Sequence, residues 1–280
     1  MECDGCSYTV PANMRECPSC GEDCGFPNVR LAQHPDEVAA LNERVKQAFI
    51  SAEAKGSSER LESFGNAIKD SKAIICRPLS DVSHIVSNEN NSYASFQRQV
   101  QAGARIPLEN EFDRVRNRYE DALYPHFSEK IIFGALSLDV NGVFSYGGCA
   151  MVMKEKLISK RTSLFEENPH TFVVKHKIGM TKPIPPGYRS DWERKDLLAT
   201  AKLHSKITKT TKNEDFASAL QNDTGNTGSS DFIEIHIYGT INRDAIEVVS
   251  CKLPKTKADR LSWAALGEQL ATIGATARTI

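Results

Sequence analysis

Five of the eight cysteines lie within the first 24 residues, four of them as two C-x2-C pairs, Cys3/Cys6 and Cys17/Cys20, separated by ten residues. A C-x2-C puts two thiolates on one tight turn with converging sulfurs, and two such turns supply the four ligands that tetrahedral Zn²⁺ accepts. Four protein ligands close the site to substrate, so the metal is structural. Gly5 and Gly21 stand where these turns must free backbone N–H groups toward sulfur, and Cys24 is a spare thiol that can replace Cys20. The alternative, reduced cysteines on a loose tail, leaves four thiols exposed with little core around them.

A second constellation lies near the C-terminal end. From Phe232 to Tyr238 the sequence alternates, with Ile233, Ile235 and Ile237 on one face and Glu234, His236 and Tyr238 on the other. A carboxylate on such a strand is held rigidly and suits acid catalysis, with the polar, Gly-rich run 221–230 as an adaptable flank. Spacing alone favours the other reading, a solvated charge on an exposed strand. Gly147-Gly148 marks either a close approach of ligand to backbone or a β-bulge, and Arg161-Thr162-Ser163 either a phosphate contact or a charged loop end. The chain contains no G-x-G-x-x-G, Walker A lysine, H-E-x-x-H or G-x-S-x-G, so dehydrogenase, P-loop and hydrolase readings lack support.

The elements that must position these groups follow from periodicity. Val38, Leu41, Val45, Ala48, Phe49 and Ala52 recur at helical steps after Pro35, and Leu61, Phe64 and Ile68 carry a shorter helix capped by Ser57 or Ser58. Residues 73–76 read as a buried strand ended by Arg77-Pro78, and helices are expected near 79–87, 91–102 and 109–123. Ile131–Leu138, Val143–Met153 and Thr171–Val174 are β-rich, with Asn141-Gly142 as a hairpin signal. Residues 179–190 read as a loop, 191–220 as helical and basic, and Ile246–Cys251 as a further strand. The fold class is α+β on a mostly antiparallel sheet, divided into a zinc ribbon at 1–30, a helical connector at 31–72 and a main domain at 73–280.

Composition excludes several classes. The chain has 280 residues, 40% of them hydrophobic and 25% charged, and lacks an apolar run of membrane-spanning length. Its 35 Lys and Arg against 36 Asp and Glu argue against coating nucleic acid by bulk charge. The start, MECDGCSYTV, carries no leader pattern, so the expected location is the cytoplasm, with Cys76, Cys149 and Cys251 as reduced thiols.

Five segments occur in an order that resembles a family: Arg77 at a strand end with Tyr93-Ala-Ser95-Phe96, the strand 133–138, Tyr146-Gly-Gly-Cys-Ala-Met-Val-Met153, Arg161-Thr-Ser163, and Phe232-Ile-Glu-Ile-His-Ile-Tyr-Gly239. Over residues 73–252 the chain is similar to bacterial ADP-ribosyltransferase-like toxins. The resemblance implies a split antiparallel sheet holding NAD⁺ in its cleft, with Arg77 on the nicotinamide ribose or a phosphate, Tyr93 and Ser95 bordering the ribose, Tyr146 near the nicotinamide and Glu234 as the catalytic carboxylate. Such a carboxylate stabilises the oxocarbenium-like charge that develops as the glycosidic bond breaks. Members that modify protein Arg carry Glu or Gln two residues before the catalytic Glu, where this chain has Phe232.

Phe232, the ribbon and the basic segment 195–212, with five lysines against Asp196, point to a nucleic acid acceptor, RNA before DNA; Arg114, Arg116 and Arg118 form another basic cluster. The resemblance further implies a toxin restrained by a protein antitoxin or serving phage defence, with no membrane partner. Two alternatives stay beside it: transfer to a protein, and a non-enzymatic zinc-ribbon adaptor that binds nucleic acid or protein.

Overall fold

The computed structural model describes residues 1–103, 118–178, 183–226, 229–252 and 255–280. Arg114, Arg116 and the first part of the helix expected over 109–123 lie outside them, while 118–123 is helical as expected.

The chain is α+β. Its strands are β1 (Lys72–Arg77), β2 (Ser92–Tyr93), β3 (Ile131–Ser137), β4 (Cys149–Met153), β5 (Thr162–Phe165), β6 (Arg189–Asp191), β7 (Glu234–Tyr238), β8 (Ile241–Asn242), β9 (Ile246–Cys251) and β10 (Thr276–Thr279). Eight form one sheet in the order β10-β9-β4-β1-β3-β7-β5-β6, and β2 pairs with β8 apart from it. Every pairing is antiparallel except that of β10 with β9.

One local feature of this sheet positions the site. Strand β1 pairs with β3 only through Lys72↔Ser137, Ala73↔Leu136 and Ile74↔Ala135. Beyond Ile74, β1 stays with β4 as far as Arg77, whereas Ile131–Ala135 of β3 pair with β7. The sheet is therefore continuous at one end and forked at the other, with Arg77 on one prong and β7 beside the opposite prong.

The two faces are covered differently. On one, Ile75, Leu136, Met151 and Ile233, Ile235, Ile237 pack against Leu41, Ala48 and Ala52 of α2 (Pro35–Ala54) and Leu61, Phe64 and Ile68 of α3 (Ser58–Ile68). Each such large apolar side chain removed from water contributes roughly 1.5–3 kcal/mol. The two N-terminal helices thus supply core to the sheet rather than only spacing the ribbon from it. On the other face Tyr124, Phe127, Phe133, Phe165 and Phe172 form a second apolar layer. The polar side of β7 faces this layer, so Glu234 and His236 are buried and the solvated-strand reading does not hold.

Several local expectations are corrected. Thr171–Val174 lies within a helix, Pro169–Lys175, because the Asn168 side chain accepts from the His170 N–H at 3.0 Å and Pro169 occupies the first turn. Asn141-Gly142 does not join paired strands, since β1 lies between β3 and β4; a Cβ on Gly142 would come within 2.3 Å of Cys76 Sγ, so close packing requires this glycine. Only Cys149–Met153 of the 143–153 run is strand, preceded by a 3₁₀ turn at Phe144–Tyr146. The helix expected near 91–102 begins at Phe96. Ser57 precedes α3 without a side-chain cap, its hydroxyl donating instead to Ala52 C=O. Cys149 and Cys251 are register partners joined as a disulfide, with Cα atoms 4.1 Å apart, so of the three scattered cysteines only Cys76 is a free thiol. The helix Lys257–Thr272 and β10 complete the sheet edge, where periodicity had given no expectation.

Candidate active site and metal centre

The fork holds a pocket between the two prongs of the sheet. Arg77 and Cys76 from β1, Phe133 and Ala135 from β3, and Glu234 with the adjoining Phe232 from the β7 side form its base and flanks. Tyr146 closes one side, and Tyr119, Glu120 and His170 come from the covering helices. Three of the expected residues, Arg77, Tyr146 and Glu234, therefore meet in one cavity.

Glu234 is 5% exposed, and its Oε2 is hydrogen-bonded to His236 Nε2 at 3.0 Å. His236 is fully buried, and its Nδ1 lies 2.5 Å from the Tyr124 hydroxyl, which is also 3.2 Å from Ser163 Oγ. Burial, then the positive charge of Arg189, lowers His236 to about 3 against the opposing pull of Glu120, so its imidazole is neutral. Burial pushes Tyr124 up to about 12, so it stays protonated. The polar atoms of Tyr124, His236 and Glu234 thus form a continuous hydrogen-bonded line.

Arg77 is nearly buried. Its Nε donates to the Tyr93 hydroxyl and its Nη1 to Cys76 C=O at 2.7 Å, while the guanidinium lies 4.9 Å from the centre of the Tyr93 ring. Among the described residues Nη2 has no protein acceptor, which leaves one edge of the fork-shaped cation for an anionic or hydroxyl-bearing ligand. Tyr93 lies behind Arg77 as its acceptor, outside the pocket lining. Ser95 is also outside it: its hydroxyl donates to Glu129 C=O at 2.5 Å and accepts from Arg98 N–H, capping the helix Phe96–Gln101. Half-buried Tyr146 meets Phe232 edge-on at 6.2 Å between ring centres. The Cys76 thiol is pushed up to about 12 by burial and is no nucleophile at neutral pH.

Glu120, His170 and Tyr124 were not singled out by sequence. Glu120, only 3% exposed, accepts from Gln97 Nε2 at 3.1 Å. The positions of Tyr119, Leu123 and Tyr124 in a helical stretch ending before Pro125 were the available signal, but nothing local tells which residue of that stretch enters a pocket made by distant strands.

The expected surface cation sites are mostly engaged elsewhere. Lys195 is buried, with Nζ 3.3 Å from Ser71 C=O and 4.1 Å from the Trp192 ring centre. Lys202 and Lys206 both bind Asp231, at 2.5 and 2.6 Å. The segment 195–212 thus presents no continuous basic face, because Lys195 is buried and Lys202 and Lys206 share Asp231. Arg161 donates to Tyr238 C=O at 2.6 Å and Thr240 C=O at 2.9 Å, and Thr162 and Ser163 are buried in β5, so this tripeptide tethers strands instead of offering a phosphate site.

At the N-terminus Cys3, Cys6, Cys17 and Cys20 bring their sulfurs within 4.8 Å of one another. The Cys3–Cys20 and Cys6–Cys17 sulfur separations are 3.6 and 3.5 Å, close to the edge of about 3.8 Å of a tetrahedron with Zn–S bonds of about 2.3 Å. The donor set and spacing fit a metal ion such as Zn²⁺. The two turns are equivalent, with positive φ after the second cysteine of each, at Ser7 (58°) and Gly21 (78°); a Cβ added at Gly5 would lie 3.6 Å from Cys20 Sγ, an ordinary contact. Cys24 stands outside the quartet, its thiol donating to Glu22 C=O at 3.5 Å. Arg30 of α1 (Pro27–Ala32) stitches this unit to the rest by donating to Cys24, Gly25, Ala12 and Met14 carbonyls. Asn28, fully buried on the same helix, reaches His236 C=O at 2.9 Å.

Among the described residues no helix is long and apolar enough to cross a membrane. No protein-family model matches the chain, and no curated protein shows significant sequence similarity to it.

Proposed function

We propose that the chain is an NAD⁺-dependent ADP-ribosyltransferase with Glu234 as its catalytic carboxylate. The observation that carries this reading is the setting of Glu234, a buried, hydrogen-bonded carboxylate in a forked-sheet pocket that also receives Arg77. Breaking the bond between nicotinamide and ribose C1′ releases neutral nicotinamide and leaves positive charge on the ribose. A fixed anion in a water-poor cleft stabilises that charge more than the ground state. Arg77 offers its free edge to a phosphate or ribose oxygen, and Tyr146 an aromatic edge to the nicotinamide.

The acceptor in this proposal is nucleic acid, RNA before DNA. Phe232 supports it, because an apolar ring two residues before Glu234 gives no counter-charge to a guanidinium, although the ring itself is buried against Ala135, Val143 and Tyr146 and only borders the pocket. The lysine segment does not support it. Such an activity in a cell calls for a restraining protein partner, as in a toxin–antitoxin or phage-defence pair. Labelled NAD⁺ incubated with the full chain and with RNA, DNA or lysate protein tests the reading. Label on RNA is expected; label on protein alone moves the acceptor, and absence of nicotinamide release favours the adaptor reading.

A further inference from the structure

Tyr124, His236 and Glu234 come from two distant parts of the chain, yet their polar atoms line up end to end beneath the second apolar layer. We propose that His236 and Tyr124 are positioning residues for Glu234: the Tyr124 hydroxyl donates to Nδ1 of a neutral His236, which fixes Nε2–H on the carboxylate and holds it ionised and oriented toward the fork. This inference rests on the reading of Glu234 as the catalytic group.

An ionised Glu234 selects one proton arrangement. Its carboxylate oxygen, 3.0 Å from Nε2, can only accept, so the single imidazole proton sits on Nε2, and the bare Nδ1 takes the proton of the Tyr124 hydroxyl 2.5 Å away. The opposite tautomer sets the Nε2 lone pair against the carboxylate and requires Glu234 to be protonated. The imidazolium is opposed by burial and by Arg189 of β6. Glu120 from the covering helix draws in the other direction, and Arg77 lines the same pocket as Glu234. His170, Tyr119 and Tyr146 stand on the pocket walls, Cys76 is a protonated thiol there, and Glu37 lies within electrostatic reach of Tyr124. Ser163, directly across from His236 in the β5–β7 register, shares the Tyr124 hydroxyl, and Asn28 anchors the His236 backbone. Every polar atom of the His236 side chain is thus committed to orientation rather than to ligand.

The test uses the full chain and three variants. In the wild type, ¹⁵N imidazole spectroscopy should find His236 with Nε2 protonated and Nδ1 bare from about pH 5 to 8. Tyr124→Phe should free the tautomer, and the acid limb of nicotinamide release should move up by about one pH unit with KM unchanged, since Glu234 becomes easier to protonate. His236→Leu should do the same or more. In His236→Gln the amide can replace both bonds, and the limb should return toward the wild-type position. A protonated Nδ1 in the wild type, or a wild-type acid limb in both Tyr124→Phe and folded His236→Leu, overturns the proposal. If the wild type releases no nicotinamide, the functional reading fails separately, and carboxyl ¹³C titration of Glu234 in wild type and Tyr124→Phe still decides the relay: an upward shift supports it and equal titration refutes it.

Discussion

Gly147 crosses the backbone of Arg77 so closely that a Cβ on it would lie 2.2 Å from the Arg77 carbonyl carbon. The turn before β4 therefore rests directly on the residue that offers a cation to the pocket. Gly147→Ala should push that turn off β1, cost roughly 1–3 kcal/mol as overpacking does, and weaken NAD⁺ binding. Gly148→Ala is the control, because no atom lies within 4 Å of its added methyl group. Thermal melts and binding titrations of the two variants should separate them; equal behaviour would mean that the turn does not hold Arg77.

His236 also makes stability depend on pH. In the unfolded chain it takes a proton near its ordinary value of 6.5, whereas burial in the folded chain lowers it to about 3. Between those values the unfolded state binds more protons, so stability rises with pH and is lost as pH falls from 6.5 toward 3, by up to about 1.4 kcal/mol per unit. Urea unfolding at several pH values should give this slope, and folded His236→Gln should lack its contribution. An identical slope in the variant would place the pH dependence elsewhere.

How far the sequence could be read follows from how local each feature is. The cysteine quartet needs only sequence spacing, and all four expected ligands converge. The Ile233, Ile235, Ile237 alternation was equally legible, because period-two patterning belongs to the strand itself. What covers the opposite face was not: the Pro169–Lys175 helix resembles a strand through Phe172, Val173 and Val174, and only the Asn168 cap and Pro169 betray it. Without that layer Glu234 reads as a solvated charge on an exposed strand, whereas it is buried. Asn141-Gly142 misled for a related reason, since the glycine answers a contact with Cys76 from another strand rather than a tight turn. Lysine counting could not see that Asp231, remote in sequence, pairs with Lys202 and Lys206.

The ribbon should bind one Zn²⁺ per chain as purified. Cys17→Ser should lose the metal and unfold the ribbon, while Cys24→Ser should retain it, since the Cys24 thiol is outside the quartet. The sheet should keep a cooperative melt in Cys17→Ser, having its own core of Ile75, Leu136, Met151 and Ile235. Metal analysis with calorimetry checks this; loss of all cooperative unfolding would show that Arg30 and Asn28 make the sheet depend on the ribbon.

The most direct measurement is nicotinamide release from NAD⁺ by the wild type and Glu234→Gln. The substitution keeps size and a hydrogen-bonding oxygen but removes the charge that faces the developing cation. Fold and NAD⁺ affinity should survive, and turnover should fall by about a hundredfold or more, the scale on which a preorganised electrostatic group contributes. A Gln variant that turns over NAD⁺ at close to the wild-type rate would contradict the assignment of Glu234 and, with it, the reading of the pocket as an ADP-ribosyltransferase site.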